Sequence, residues 1–114
     1  ANYIVTQMFF DNSKYFEFVA ACRAMDINVP IIPGLKPITK KYQLNSLARL
    51  FSIDLPQDLA IEILKAKSPE ARHQIGVEWC IMQSKELKEK DVPCLHYYTM
   101  GDSNTIQQII SAVI

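Results

Sequence analysis

The stretch Tyr3-Ile-Val-Thr-Gln-Met-Phe-Phe-Asp11 decides how this chain is read. Tyr3, Ile4, Val5 and Thr6 favour extended backbone, because aromatic and β-branched side chains pack well on a pleated surface. Gln7 and two aromatics follow, and Asp11-Asn12-Ser13 supplies a turn and a helix N-cap. The pattern predicts a strand over about residues 3–8 that ends by presenting one polar amide. In parallel α/β proteins, ligands bind at that end of the strands. The same design recurs at Val29-Pro-Ile-Ile-Pro-Gly34 and Cys94-Leu-His-Tyr-Tyr-Thr99. Three strand tips facing one way imply part of a ligand-binding face.

Working outward, helical periodicity fills the gaps between these strands. Tyr15, Phe18, Val19 and Cys22 form an apolar stripe on a helix running to about residue 24. Asp26 and Asn28 mark the return into a second strand, about 29–32, which Pro33-Gly34 ends. Pro30 lacks an N–H and belongs at the start of that strand, before pairing is complete. Thr39 is the N-cap expected for a helix over about 40–51, with Leu44, Leu47, Ala48 and Phe51 on one face. Pro56 opens a short helix carrying Leu59, Ile63 and Leu64. Ser68-Pro69 starts a long helix to about residue 90, with Ile75, Trp79 and Met82 at helical spacing. The third strand spans about 94–98. A last helix, about 104–113, places Ile106, Ile109, Ile110 and Val113 in register.

Strands alternating with helices imply a parallel sheet joined by helical crossovers. Three parallel strands make a poor complete domain, because two apolar edges would stay unpaired. A (β/α)8 barrel takes about 250 residues. Three βα units in 114 residues, one with an enlarged connection, fit three-eighths of a barrel. A flavodoxin-like open sheet is the rival and would need two more strands. The fold expected is therefore α/β, a partial (β/α)8 TIM barrel. Residues 1–114 form a portion of one barrel domain. The first residue is Ala, and the chain begins almost directly on a strand, so it is expected to be cut from something longer.

Composition removes several function classes. Hydrophobic residues make up 49% and charged residues 21%, an ordinary globular balance. Twelve basic and twelve acidic side chains cancel, which leaves no electrostatic footprint for nucleic acid or an anionic membrane. The charged run Lys85–Asp91 reads as a solvated helix end. No apolar run is long enough to span a bilayer, and no signal-peptide pattern is expected from these residues. Cys22, Cys80 and Cys94 are far apart and odd in number, with no metal-ligand spacing. Free thiols fit a reducing, cytoplasmic setting.

Several residues carry possible chemistry, each with a plainer alternative. Gln7 offers donors and an acceptor without charge, so it either reads a polar heterocycle or caps loop backbone. Gly34 permits positive φ or close approach to the backbone, or simply makes a turn. Lys36 meets an anionic group or is solvated. Gln43 and Leu47, four residues apart near Tyr42, share a helix face that can grip the edge and plane of a flat ring. Otherwise they form the rim of an amphipathic helix. His96, in mid-strand on the side of Cys94 and Tyr98, reads as a core histidine rather than a base. His73 reads as a surface residue. No catalytic triad, phosphate loop or metal set is visible.

Taken together, Ile4-Val-Thr-Gln-Met-Phe-Phe-Asp11, Asn28-Val-Pro-Ile-Ile-Pro-Gly-Leu-Lys-Pro-Ile-Thr39, Gly76-Val-Glu-Trp79 and Leu95-His-Tyr-Tyr-Thr-Met100 resemble the methylenetetrahydrofolate reductase family collinearly over the whole chain. The resemblance implies a (β/α)8 barrel with FAD at the strand C-termini. NADH or NADPH reduces the flavin, and the flavin passes a hydride to 5,10-methylenetetrahydrofolate, giving 5-methyltetrahydrofolate. It places this chain as the last three βα units, strands six to eight.

By the same resemblance, Gln7 contacts the folate and the nicotinamide cofactor, and Gln43 contacts the folate. Leu47 stands where some members carry a substrate-packing phenylalanine. Asp102 stands where some members place a basic residue near the folate tail, so either Lys36, Lys40 or Lys41 serves that anionic tail or the tail is held differently. The catalytic glutamate and most FAD contacts belong to the first five strands and have no counterpart here. The isolated chain is therefore expected to be inactive. Its open edges should drive self-association or pairing with the missing half. The competing readings are a structural assembly module and a small free-standing α/β ligand-binding domain.

Overall fold

The computed structural model describes residues 2–38, 40, 43, 56–98 and 103–113. In chain order its elements are β1 (Ile4–Val5), α1 (Asn12–Ala24), β2 (Ile31–Ile32), β3 (Gly34–Leu35), α2 (Gln57–Lys65), α3 (Pro69–Glu89), β4 (His96–Tyr97) and α4 (Ser103–Val113). All the pairing is parallel: β1 with β2 through Ile4↔Ile31 and Val5↔Ile32, and β3 with β4 through Gly34↔His96 and Leu35↔Tyr97. The fold is mixed α/β with parallel strands, as expected.

The expected strand boundaries need correction. The second strand does not stop before Pro33-Gly34. Residues 31–35 run on as one extended segment, pairing with β1 over the first half and β4 over the second. The Pro30 and Ile32 carbonyls accept from Ile4 N and Thr6 N (2.9 and 3.0 Å). The Pro33 and Leu35 carbonyls accept from His96 N and Tyr98 N (3.0 and 2.8 Å). A strand residue turns its N–H and C=O to the same neighbour, so Pro33 has its missing donor on the β4 side. Ladder pairing in the outer strands is shorter than the apolar runs predict, confined to Ile4–Val5 and His96–Tyr97.

The caps follow the sequence. Asp11 accepts from Ser13 N at 3.0 Å and opens α1. Ser68 accepts from Ala71 N at 3.1 Å, ahead of Pro69, and opens α3. Pro56 directly precedes α2. The helix expected over 40–51 falls outside the described residues, apart from Lys40 and Gln43.

Among the described residues, two apolar clusters hold the layers together. One joins Ile31 and Leu35 to Tyr15 and Cys22 of α1, Val77, Cys80 and Leu87 of α3, and Ile106 and Ile109 of α4. The other lies beyond the strand C-termini, where Met8, Phe10 and Ile38 pack on Leu59 and Ile63 of α2 with Trp79 and Tyr98 at its margin. Burying one such aliphatic side chain contributes about 1.5–3 kcal/mol. Some stripe residues expected inside are exposed: Phe18 44%, Leu64 55%, Met82 52% and Ile110 36%. Phe18 and Ile110 line grooves beside the outer edges of β1 and β4, where no described strand covers them. Met82 lines a cleft beside Phe10 and Trp79. Nothing in the structure explains the exposed Leu64. The charged residues of Lys85–Asp91 are all exposed, as expected, around a buried Leu87.

Candidate functional site

The chemistry-bearing residues sit at the C-terminal ends of the strands, and the structure fastens those ends to one another. Thr6 follows β1 directly. Its Oγ1 accepts from Gly34 N at 2.9 Å, and its carbonyl accepts from the Tyr98 hydroxyl at 2.8 Å. Tyr98 reaches that carbonyl by crossing over Gly34. A Cβ on Gly34 would lie 2.6 Å from the Thr6 carbonyl oxygen and 2.6 Å from Tyr98 Cε2. Gly34 is thus required by close approach; its φ does not lie in the left-handed region, and it pairs as strand.

Gln7, the next residue, is exposed on the rim of a groove of about 330 Å³ that also includes Ile4, Phe9, Lys14, Tyr15 and Phe18. The backbone beyond it is held as firmly. Trp79 Nε1 donates to the Phe10 carbonyl at 2.9 Å, and Gln83 Nε2 donates to the Phe9 carbonyl and to Asn12 Oδ1, both at 3.1 Å. Asn12 Nδ2 returns bonds to the Gln83 carbonyl (3.2 Å) and Glu86 Oε1 (2.7 Å). Sequence reasoning missed Tyr98, Gln83 and Asn12 as determinants of this tip. The one signal for Gln83 was an amide four residues after Trp79 on the same helix.

Gln43 is half-buried, and its Oε1 accepts from Lys40 N at 3.0 Å while its own N–H donates to the Lys40 carbonyl. That reciprocal pairing is a helix-start cap, so the oxygen of its amide is locally engaged. Leu47 and Asp102 lie outside the described residues. Lys36, read as a loop cation, is buried at 6% exposure: it immediately follows β3, and its charge is felt at the buried Cys80 thiol. Lys40 remains exposed. His96 corrects the core-histidine reading. It is exposed, because β4 is an edge strand among the described residues, and its ring meets Tyr98 edge-on at 4.6 Å. His73 corrects the surface reading: it is half-buried, with Nε2 3.0 Å from Thr105 Oγ1.

On the helix-covered side, Ser84 Oγ donates to the Cys80 carbonyl (2.8 Å) and so accepts from the Tyr97 hydroxyl (2.7 Å). Burial pushes the Cys80 thiol up to about 12, against smaller lowering effects from Ser84 and the Lys36 charge. Burial likewise raises the Tyr97 and Tyr15 phenols. These groups are structural rather than reactive at neutral pH. Among the described residues no group of three His, Cys, Asp or Glu could hold a metal ion, and no helix is long and apolar enough to cross a membrane. The space over Gly34 is filled by the Tyr98 ring.

The elements and their contacts define a parallel α/β unit with its polar tips gathered at the strand C-termini. Within that class the relatives are specific. The family model described as methylenetetrahydrofolate reductase matches residues 1–113, and the chain belongs to that family. It is 31% identical over 115 residues to the probable methylenetetrahydrofolate reductase (NADPH) of Caenorhabditis elegans, covering 99% of this chain. It is 32% identical over 103 residues to methylenetetrahydrofolate reductase (NADH) 1 of Arabidopsis thaliana, covering 89% of this chain. It is 31% identical over 102 residues to the 5,10-methylenetetrahydrofolate reductase of Pectobacterium carotovorum, again covering 89%. The chain spans 17% of the length of the nematode and plant relatives and 34% of the bacterial one.

Proposed function

We propose that this chain is the section of a methylenetetrahydrofolate reductase barrel comprising its last three βα units, and that it supplies substrate-side contacts. The observation that carries this reading is the exposed Gln7 at the end of β1, on a tip pinned by Gly34 and Tyr98, in a chain matched end to end by the family. Gln7 reads the folate and the nicotinamide of NADH or NADPH through its neutral amide. Gln43 and Leu47 contribute to the folate contact. FAD is held by parts of a longer polypeptide, and the reaction takes place in the cytoplasm, consistent with three free thiols. The chain alone neither binds FAD nor reduces folate, because hydride transfer is the cofactor's chemistry.

The test has two arms. In the complete gene product, Gln7→Ala should weaken folate binding about two- to tenfold, the range for one neutral hydrogen bond. The isolated chain should purify colourless. An unchanged folate affinity, or a yellow isolated chain with a flavin absorbance band, would contradict the reading.

One observation favours a second reading, an assembly module. β1 and β4 each pair on one side only among the described residues, and apolar grooves with Tyr3, Phe18 and Ile110 exposed nearby run beside them. A concentration-independent monomer in sedimentation would exclude assembly through these edges.

A further inference from the structure

Thr6 is bound to both other strand tips. Its side chain takes the Gly34 N–H and its carbonyl takes the Tyr98 hydroxyl. Three and four residues further on, the Phe9 and Phe10 carbonyls are held by Gln83 and Trp79. Gln7 therefore lies in a short segment whose backbone is fixed on both sides, while its own side chain is at the surface. A fixed backbone matters there, because a flexible side chain reads a heterocycle only from a set origin.

Among the described residues, the Tyr98 hydroxyl is the side-chain group of β4's tip that spans the central strand to reach β1's tip. Its path is open only because residue 34 has no Cβ. From this geometry we infer that Tyr98 is a positioning residue: it sets the direction in which Gln7 presents its amide, acting through the Thr6 carbonyl. The inference rests on the reading of Gln7 as a folate contact.

The experiment is a double-mutant cycle in the complete, flavin-loaded gene product, with Gln7→Ala, Tyr98→Phe and the pair. Folate affinity is read by titration calorimetry and KM by steady-state turnover, with the thermal midpoint as a control. Tyr98→Phe removes one oxygen and keeps the ring over Gly34. It should weaken folate binding about two- to tenfold while shifting the midpoint by only a few degrees. In the Gln7→Ala background it should have no further effect on binding, because its route to the ligand is gone.

An additive pair would overturn the inference and point to direct contact between Tyr98 and the ligand. Unaltered binding in Tyr98→Phe beside weakened binding in Gln7→Ala would overturn the inference alone. Unaltered binding in Gln7→Ala would remove the site reading beneath it. Gly34→Ala, whose methyl would push the Tyr98 ring aside and break its bond to the Thr6 carbonyl, gives a second arm if Tyr98→Phe does not fold. It should weaken folate binding in the same direction, and an unchanged affinity would count against the inference.

Discussion

Replacing Gly34 by alanine probes the packing that joins the strand tips. The new methyl would sit 2.6 Å from the Thr6 carbonyl oxygen and 2.6 Å from Tyr98 Cε2, with Cζ at 3.3 Å. Ordinary carbon–oxygen approaches are about 3.3–3.6 Å and carbon–carbon contacts about 3.5–4.0 Å, so both neighbours are too close by most of an ångström. The oxygen belongs to backbone whose N–H is bonded to the Ile32 carbonyl at 3.0 Å, so it has little room to retreat. Tyr98 must swing away and surrender its bond to Thr6. Overpacking of this kind costs about 1–3 kcal/mol and the lost hydrogen bond about 1 kcal/mol. Stiffening of the unfolded chain by alanine returns about 0.4–1 kcal/mol. The net expectation is a loss of about 1–3 kcal/mol, read by urea unfolding of the complete gene product. Adding Tyr98→Ala should recover only part of it, since the clash with Thr6 remains. A Gly34→Ala protein as stable as its parent would refute the close-approach argument.

Ser68→Ala should lower stability by about 0.5–2 kcal/mol in the same assay, because α3 loses the acceptor for Ala71 N; a change within error would show that cap to be dispensable. With a thiol reagent near neutral pH, Cys94 should react fast while the buried Cys22 and Cys80 stay protected; equal rates at all three would contradict their burial. The raised Cys80 thiol also fixes a sign with pH. The folded form holds its proton more tightly than the unfolded chain, so its contribution is complete below about pH 9 and drains away as pH rises toward about 12. The raised Tyr15 and Tyr97 phenols push the same way, so stability followed by urea unfolding should fall across the alkaline range, and a flat profile there would count against it.

Local signals were the legible part of the sequence. Asp11, Ser68 and Pro69 do what capping chemistry dictates, and Tyr15, Cys22, Ile106 and Ile109 face inward as their spacing requires. What escaped depends on residues far apart in the chain. Pro33 reads as a terminator by itself, but the strand continues because its bonding direction alternates between two neighbours. Gly34 reads as a turn former, whereas its cause is an aromatic ring that arrives from Tyr98. Lys36 and His96 exchange their expected burial, since alternation gives sides but cannot say which side is covered. Of the site, Gln7 was legible as an exposed tip, and the clamp that steadies it was not.

Pro33 also bears on how the chain is made. The Ile4↔Ile31 pairing spans fewer than thirty residues and can form early, whereas Gly34↔His96 waits for roughly sixty more. At about 5–20 residues per second, the half of the central strand meant for β4 stays open for about 3–12 s during synthesis. Such an edge invites the wrong partner. Here the waiting edge is poor in offers: the Ile31 carbonyl is taken by the Tyr15 hydroxyl at 2.7 Å, and Pro33 has no N–H to give. The proline that makes the strand look broken in the sequence therefore also weakens that edge on the nascent chain, by taking one donor out of it until β4 arrives.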